Sequence, residues 1–119
     1  MTKFDATDKS SHILAYEAAY DAIENSGIGI NDIDAIVLGN MDFDYNGERQ
    51  RHIPTMLSSL FKRNIPIIRT PSACSSGGAA LWTAKKIAEN DENINNIMAL
   101  GIEKLSSCPT PIITDELMM

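Results

Sequence analysis

The chain has 119 residues, of which 44% are hydrophobic and 22% are charged, and these values are typical of one globular domain with a packed core. Its formal net charge of −6 argues against a nucleic-acid-binding protein, and no apolar run approaches the roughly 18 residues of a membrane-spanning helix. The first residues lack the apolar stretch of a signal peptide, and the two cysteines cannot form a disulfide framework. We therefore expect a cytoplasmic protein that binds neither nucleic acid nor membrane.

The first predicted element is a helix over residues 10–26, where apolar residues recur at helical spacing. Asp8 is its predicted N-cap, and Gly27 stands where a glycine commonly follows a helix.

After Gly27 the chain alternates strands and helices. The pattern predicts, in order, a strand at Ala35–Gly39, a helix at Ile53–Lys62, a strand at Ile65–Thr70, a helix from about Ser75 to Asn90 and a strand at Ile97–Gly101. Strands separated by helices imply parallel crossovers, so we predict an α/β fold with a mostly parallel sheet and helices on its faces. A chain of this type usually opens on a strand and ends on a closing element. Neither is recognisable here, so we expect the domain to be incomplete at both ends.

The segment that carries the most chemistry is "TPSACSSGGAAL", in which Cys74 follows a predicted strand and precedes a helix. Sites in open parallel sheets lie at the carboxyl ends of strands, and the amide-rich start of a helix favours a thiolate nucleophile. Gly77 and Gly78 weaken the helix, which suggests that a ligand or another backbone approaches closely there. The alternative is that Cys74 is a small buried hydrophobic residue, as most free cysteines are.

Metal sites are not indicated. Residues 42–47, "DFDYNG", imitate the first half of a calcium loop, but the twelfth position of that loop is Ile53 where a glutamate is required. His12 and His52 have no second ligand at a metal-binding spacing. We expect a solvated loop, surface histidines and no metal.

The segment around Cys74, "SACSSGGAAL", resembles the nucleophile segment of the thiolase superfamily. The stretches "AYEAAYDAIENSGI", "DIDAIVLGNM" and "GIEKLSSCPT" follow that family's order, so the resemblance covers essentially the whole chain. It is strongest to the branch that includes archaeal acetyl-CoA acetyltransferases and sterol-carrier-type thiolases. Ketosynthases carry a similar A-C-S-S pattern and are close relatives.

The resemblance implies a reaction. Cys74 would attack an acyl-CoA thioester and become acylated, and the acyl group would then pass to coenzyme A or to an acetyl-CoA enolate. The Cys74 backbone amide would help to hold the oxyanion, and Gly77 and Gly78 would bind substrate by allowing close packing near the acyl group. Coenzyme A would be part of the substrate, and no resident cofactor is expected.

The resemblance also has limits. Thiolases are several times longer, and their activating histidine and second cysteine lie in a C-terminal half that nothing here matches; Cys108 does not correspond to that cysteine. We therefore expect residues 1–119 to be a partial thiolase N-terminal domain that lacks its opening strand and the whole C-terminal half. It would be inactive alone, and it would form a homodimer or higher oligomer or pair with a separate C-terminal subunit. The alternatives are a non-catalytic interaction subunit that docks on a thiolase, and a ketosynthase-like condensing fragment.

Overall fold

Three parallel strands form the centre of the chain in a computed structural model that describes residues 1–2, 8–41, 52–106, 109–111 and 114. The elements are α1 (Ser11–Ser26), β1 (Ala35–Gly39), α2 (Ile53–Phe61), β2 (Ile67–Thr70), α3 (Ser76–Asn90) and β3 (Ile97–Gly101), with short 3₁₀ turns at Ile30–Asp32 and Ala73–Ser75. The predicted α/β fold with a parallel sheet is confirmed.

Element boundaries differ from the prediction by one or two residues. The N-cap of α1 is Ser10, so the prediction of Asp8 was wrong: Ser10 is extended, and its carbonyl accepts the first helical hydrogen bond, from Leu14 at 3.1 Å. Gly27 ends α1 with φ of 76°, as a left-handed glycine cap does. At Lys62 the backbone turns left-handed and α2 ends at the preceding residue. The second strand begins at Ile67, because Pro66 has no amide hydrogen to donate to the sheet.

The strand order is β2-β1-β3, and both outer strands run parallel to β1. Val37 pairs with Ile68 on one side and with Ala99 on the other. All five residues of β1 are buried, as the wholly apolar sequence AIVLG predicts for a central parallel strand.

Helices cover both faces of the sheet. On one face α1 and α2 pack on alternate strand residues, and the buried members of this cluster include Ala15, Ala19, Ile36, Leu38, Leu57 and Leu100. On the other face α3 packs on Val37 through Ala80 and Ala84. The crossover through α2 and the crossover through α3 therefore lie on opposite sides of the sheet.

The amino end of the sheet is held by one carboxylate. An Asp34 oxygen accepts backbone hydrogen bonds from Asn96 at 2.9 Å and from Asn95 at 2.8 Å. These two bonds, first that of Asn96, hold the pKa of Asp34 below its usual value, and the nearby charge of Arg63 acts in the same direction. Asp34 thus ties the start of β1 to the residues that enter β3.

Apolar side chains remain exposed on the α3 side. Leu81 and Trp82 are 65% and 64% exposed, and Ile68 on β2 is 45% exposed. Within the described residues, no helix combines the length and the hydropathy that a bilayer crossing requires.

Candidate active site

A cavity of about 640 Å³ opens at the carboxyl ends of β1 and β3. Gly39 and Gly101, the last residues of these two strands, line it together with Cys74 and Gly77. The connections that leave the carboxyl ends of the neighbouring strands β1 and β2 pass over opposite faces of the sheet, through α2 and α3, and ligands of open α/β sheets bind at such a switch point. The topology therefore places Cys74 where this fold class builds its sites.

Cys74 lies in the 3₁₀ turn Ala73–Ser75, directly before α3, and its side chain is exposed. The interpretation of Cys74 as a buried apolar residue is therefore wrong for the chain as described. The first amides of a helix have no acceptor within the helix and carry partial positive charge. A thiolate or an oxyanion at this position would face those groups.

The turn that presents Cys74 has an unusual backbone. Ala73 has φ of 47°, in the left-handed region that residues with a Cβ seldom adopt. The Ser76 hydroxyl donates to the Ala73 carbonyl at 2.7 Å and accepts the Ser72 amide hydrogen at 2.9 Å. The Ser75 hydroxyl donates to the Ser72 carbonyl at 2.7 Å. The side chains of Ser75 and Ser76 thus hydrogen-bond to the backbone of the two residues that precede Cys74.

Gly39 fixes the distance between the sheet and this turn. A Cβ built at Gly39 would lie 2.6 Å from the Ser76 carbonyl carbon and 3.1 Å from the Ala80 Cβ, so only glycine fits. The first turn of α3 therefore rests directly on the end of β1. This contact brings Cys74 to the mouth of the cavity.

The segments that follow β1 and β3 are joined across the cavity. Glu103 accepts a hydrogen bond from the Met41 amide at 2.9 Å, and the Ile102 amide donates to the Gly39 carbonyl at 3.1 Å. Met41, Ile102 and Glu103 all line the cavity, as does Leu105. Lys104 and Ser106 line it too, so this wall carries both apolar and polar residues, and the Glu103 carboxylate ties its two segments together.

The two predicted substrate-binding glycines have different positions. Gly77 lines the cavity, whereas Gly78 does not. A Cβ built at either would meet nothing within 4 Å. The end of β3 lies at ordinary contact distance, since a Cβ built at Gly101 would be 3.9 Å from the Gly77 Cα. Neither glycine is therefore required by a close neighbour among the described residues, and a role in substrate binding stays a prediction.

Several predicted features fall elsewhere. Residues 42–47 and Cys108 lie outside the described residues. His12 contacts the Ser10 hydroxyl at 3.2 Å, and His52 directly precedes α2. Within the described ranges, no three histidine, cysteine or carboxylate side chains are grouped so that they could hold a metal ion.

Sequence reasoning missed Gly39, Ser76 and Glu103 as parts of the site. The glycine that ends an apolar strand was a usable signal for Gly39, because such a residue often marks a close backbone approach. The Met41–Glu103 contact depends on tertiary structure, and the local hydroxyl bonds of Ser76 depend on the left-handed backbone of Ala73; neither had a comparable signal.

Comparison with known proteins agrees with this geometry. The family model described as "Thiolase, N-terminal domain" matches residues 1–117. The acetyl-CoA acetyltransferase of Methanothermobacter thermautotrophicus is 34% identical in an alignment of length 117 that covers 94% of this chain and 30% of that protein. The acetyl-CoA acetyltransferase of Methanocaldococcus jannaschii is 33% identical in an alignment of length 109 that covers 88% of this chain and 27% of that protein.

A second group of relatives consists of condensing enzymes. The beta-ketoacyl-[acyl-carrier-protein] synthase III of Campylobacter fetus is 31% identical over 106 residues, which are 89% of this chain and 32% of that protein. The chain thus spans about a third of the length of the curated relatives it matches. Since the family model covers nearly all of the sequence and the fold is the expected α/β arrangement, the chain belongs to the thiolase N-terminal domain family.

Proposed function

We propose that this chain supplies the acyl-accepting cysteine of a thiolase-type acyltransferase, with Cys74 as the nucleophile and an acyl-CoA thioester as the substrate. The observation that carries the proposal is the exposed Cys74 at the mouth of a cavity, between the strand ends and the start of α3. The acetyl-CoA acetyltransferase relatives support the choice of acetyl-CoA.

The proposed step is a thioester exchange. The Cys74 sulfur, as the thiolate, adds to the carbonyl carbon of the acyl-CoA, and the negative charge moves to the carbonyl oxygen. The amides before α3 stabilise that charge. The carbon–sulfur bond to coenzyme A then breaks, so that coenzyme A leaves as its thiolate and the acyl group remains on Cys74. Gly77 lines the same cavity as Cys74, and the open space beside its Cα would accommodate the acyl group.

Mass spectrometry of the acylated protein tests this step. The chain is incubated with acetyl-CoA and digested, and the acetyl group is assigned to a peptide. We expect acetylation of Cys74 in the wild type and in Cys108→Ala, and none in Cys74→Ala. Equal labelling of both cysteines, or no labelling of Cys74, would contradict the proposal.

We also propose that the 119-residue chain has little turnover by itself. The resemblance assigns the activating histidine and the second cysteine to a C-terminal half, and a cysteine without its base is a poorer nucleophile. The test is thiolysis of acetoacetyl-CoA by coenzyme A, with Cys74→Ala as the control. Steady turnover by the wild-type chain above that of the Cys74→Ala control would overturn the proposal that the chain is nearly inactive by itself.

A second candidate function is that of a non-catalytic subunit that docks on a thiolase or on a separate C-terminal half. The exposed Leu81 and Trp82 on α3, with the exposed Ile68 on the same side of the sheet, favour it, because exposed apolar surface is what a docking partner would cover. The same surface, with the outer edges of β2 and β3, also supports association into a homodimer or higher oligomer. Size-exclusion chromatography with light scattering, with and without a C-terminal thiolase half, separates these outcomes from a monomer.

A third candidate is a ketosynthase-like condensing fragment, favoured by the beta-ketoacyl-[acyl-carrier-protein] synthase III relatives. Faster acetylation of Cys74 by acetyl-acyl-carrier protein than by acetyl-CoA would favour this candidate over the first. The reverse would favour the acetyltransferase branch. The sterol-carrier-type branch and a cytoplasmic location stay predictions.

A further inference from the structure

Cys74 is presented by a turn that needs external support. The left-handed backbone of Ala73 costs about 1–2 kcal/mol for a residue that carries a Cβ. Such conformations persist only where the surrounding structure holds them. Two backbone groups of this turn, the Ala73 carbonyl and the Ser72 amide, therefore need partners in fixed positions.

The Ser76 hydroxyl meets both requirements at once. It donates to the Ala73 carbonyl at 2.7 Å and accepts the Ser72 amide hydrogen at 2.9 Å. The Ser76 residue is only 5% exposed, so water competes little for either bond. Both partners precede Cys74 and Ser76 follows it, so one hydroxyl links the two sides of the segment that contains the cysteine.

Ser76 is itself fixed to the sheet. Its carbonyl lies so close to Gly39 that a Cβ at position 39 could not be accommodated. The position of the turn is therefore set relative to the end of β1, which lines the same cavity as Cys74. A rigid connection runs from β1 through Ser76 to the backbone of Ser72 and Ala73, the two residues before Cys74.

Ser75 provides an internal comparison. Its hydroxyl also contacts the turn, by donating to the Ser72 carbonyl at 2.7 Å, but Ser75 is exposed and its hydroxyl makes no second bond among the described residues. The Ser72 carbonyl also accepts the Ser75 amide at 3.0 Å, so loss of the Ser75 hydroxyl leaves it bonded. The two adjacent serines therefore have different expected effects.

We propose that Ser76 is a positioning residue, whose hydroxyl holds the Ala73 turn so that the Cys74 sulfur and the adjacent amides are aligned for attack on a thioester carbonyl. This inference rests on the proposed function for its chemistry. Its structural part, the dependence of the turn on the Ser76 hydroxyl, can be tested without any substrate.

The structural test is nuclear magnetic resonance of Ser76→Ala, with Ser75→Ala as the matched control. The Cα and Cβ shifts of Ala73 report its backbone conformation. We expect Ser76→Ala to lose the left-handed shifts while the β1 shifts stay unchanged, and we expect Ser75→Ala to keep them. Left-handed shifts retained in Ser76→Ala would overturn the proposal, whether or not Cys74 accepts an acyl group.

The chemical test compares two reactions of Cys74. Acylation by acetyl-CoA passes through an oxyanion that needs aligned amides, whereas alkylation by iodoacetamide does not. At saturating acetyl-CoA we expect Ser76→Ala to slow Cys74 acetylation by about tenfold, or about 1.4 kcal/mol, with an unchanged half-saturating concentration. Alkylation should slow by less than about threefold, because it needs no oxyanion site. Equal slowing of both reactions would indicate a merely structural role and overturn the assignment.

Rescue by a conservative variant completes the design. Ser76→Thr keeps the hydroxyl, and we expect it to retain both the left-handed shifts of Ala73 and most of the acetylation rate. If Ser76→Ala does not fold, this variant carries the test, with Ser76→Val, which has the shape of threonine without its hydroxyl, as its matched partner. Equal acetylation rates in the threonine and valine variants would then refute the proposal. A wild-type chain that is not acetylated at all would refute the proposed function, and the Ala73 shifts would still decide the role of Ser76.

Discussion

Gly39 packs its bare Cα against the backbone of Ser76, so that a Cβ at position 39 would lie 2.6 Å from the Ser76 carbonyl carbon. Neither group can move easily, since one belongs to the central strand and the other to the first turn of α3. We expect Gly39→Ala to destabilise the chain by about 1–3 kcal/mol, as overpacking does in other cores. The free energy of unfolding is measured by urea titration.

The matched control for this variant is Gly101→Ala. Gly101 pairs with Gly39 in the sheet and lines the same cavity, but a Cβ there would lie at an ordinary 3.9 Å from the Gly77 Cα. We expect a change within about 0.5 kcal/mol, as for a substitution that meets no close neighbour. Similar losses in both variants would show that the Ser76 contact is not the cause.

The left-handed backbone of Ala73 gives a second prediction. Glycine removes the conformational cost of about 1–2 kcal/mol but adds about 0.5–1 kcal/mol of chain entropy, so Ala73→Gly should leave stability unchanged or raise it by up to about 1.5 kcal/mol. Ala73→Val should destabilise by more than about 1 kcal/mol, because a β-branched residue rarely tolerates a positive φ. Ala88→Gly, at an exposed position in α3, serves as the control and should lose about 1 kcal/mol. The same stability for the valine and glycine variants at position 73 would contradict the observed conformation.

Asp34 predicts a pH dependence of stability. Its pKa is lowered in the folded state by the backbone hydrogen bonds of Asn96 and Asn95, so the folded chain favours the carboxylate. The stabilisation is therefore complete above the pKa of the unfolded chain and is lost as the pH falls through the lower folded value. Wild type should exceed Asp34→Asn in stability at neutral pH, and the difference should shrink from about pH 5 downward. Urea titrations at several pH values measure it, and a constant difference would refute the assignment.

The exposed apolar residues of α3 predict association. Leu81→Gln with Trp82→Gln should leave the unfolding free energy within about 0.5 kcal/mol of wild type, because both side chains are mostly exposed. The double variant should shift sedimentation profiles towards the monomer. Tyr20→Gln, on the exposed side of α1, is the control and should not change association. If the double variant and the wild type gave the same sedimentation profile, Leu81 and Trp82 would not mediate self-association and the prediction would be wrong.

Sequence patterns were sufficient to predict the order and type of the elements, because each strand and helix has a clear apolar period and is bounded by turn residues. The wholly apolar AIVLG predicted the buried central strand without further information. The N-cap of α1 was misplaced from Ser10 to Asp8, since both residue types cap helices and only the backbone geometry distinguishes them.

The site was predictable only in part. Cys74 could be predicted from the sequence because a cysteine that follows a strand and precedes a helix lies at the amide-rich start of that helix, which favours a thiolate. The roles of Gly39 and Glu103 depend on contacts between segments, as in the Met41–Glu103 hydrogen bond, which joins residues 62 apart in the chain. The hydroxyl bonds of Ser76 are local, but they depend on the backbone conformation of Ala73. The left-handed conformation of Ala73 had no sequence signal, because alanine is not a residue that favours it.

The position of β1 between two later strands has a consequence for synthesis on the ribosome. One edge of β1 cannot pair until β2 has been synthesised, as in the Ile36–Ile67 pair. The other edge cannot pair until β3 has been synthesised, as in the Ile36–Met98 pair. In the nascent chain, the wholly apolar strand β1 therefore has an unpaired edge until β3 has left the exit tunnel. During that interval the nascent chain is prone to aggregation. Slower elongation between β2 and β3 would lengthen that interval, and chaperone dependence should rise with it.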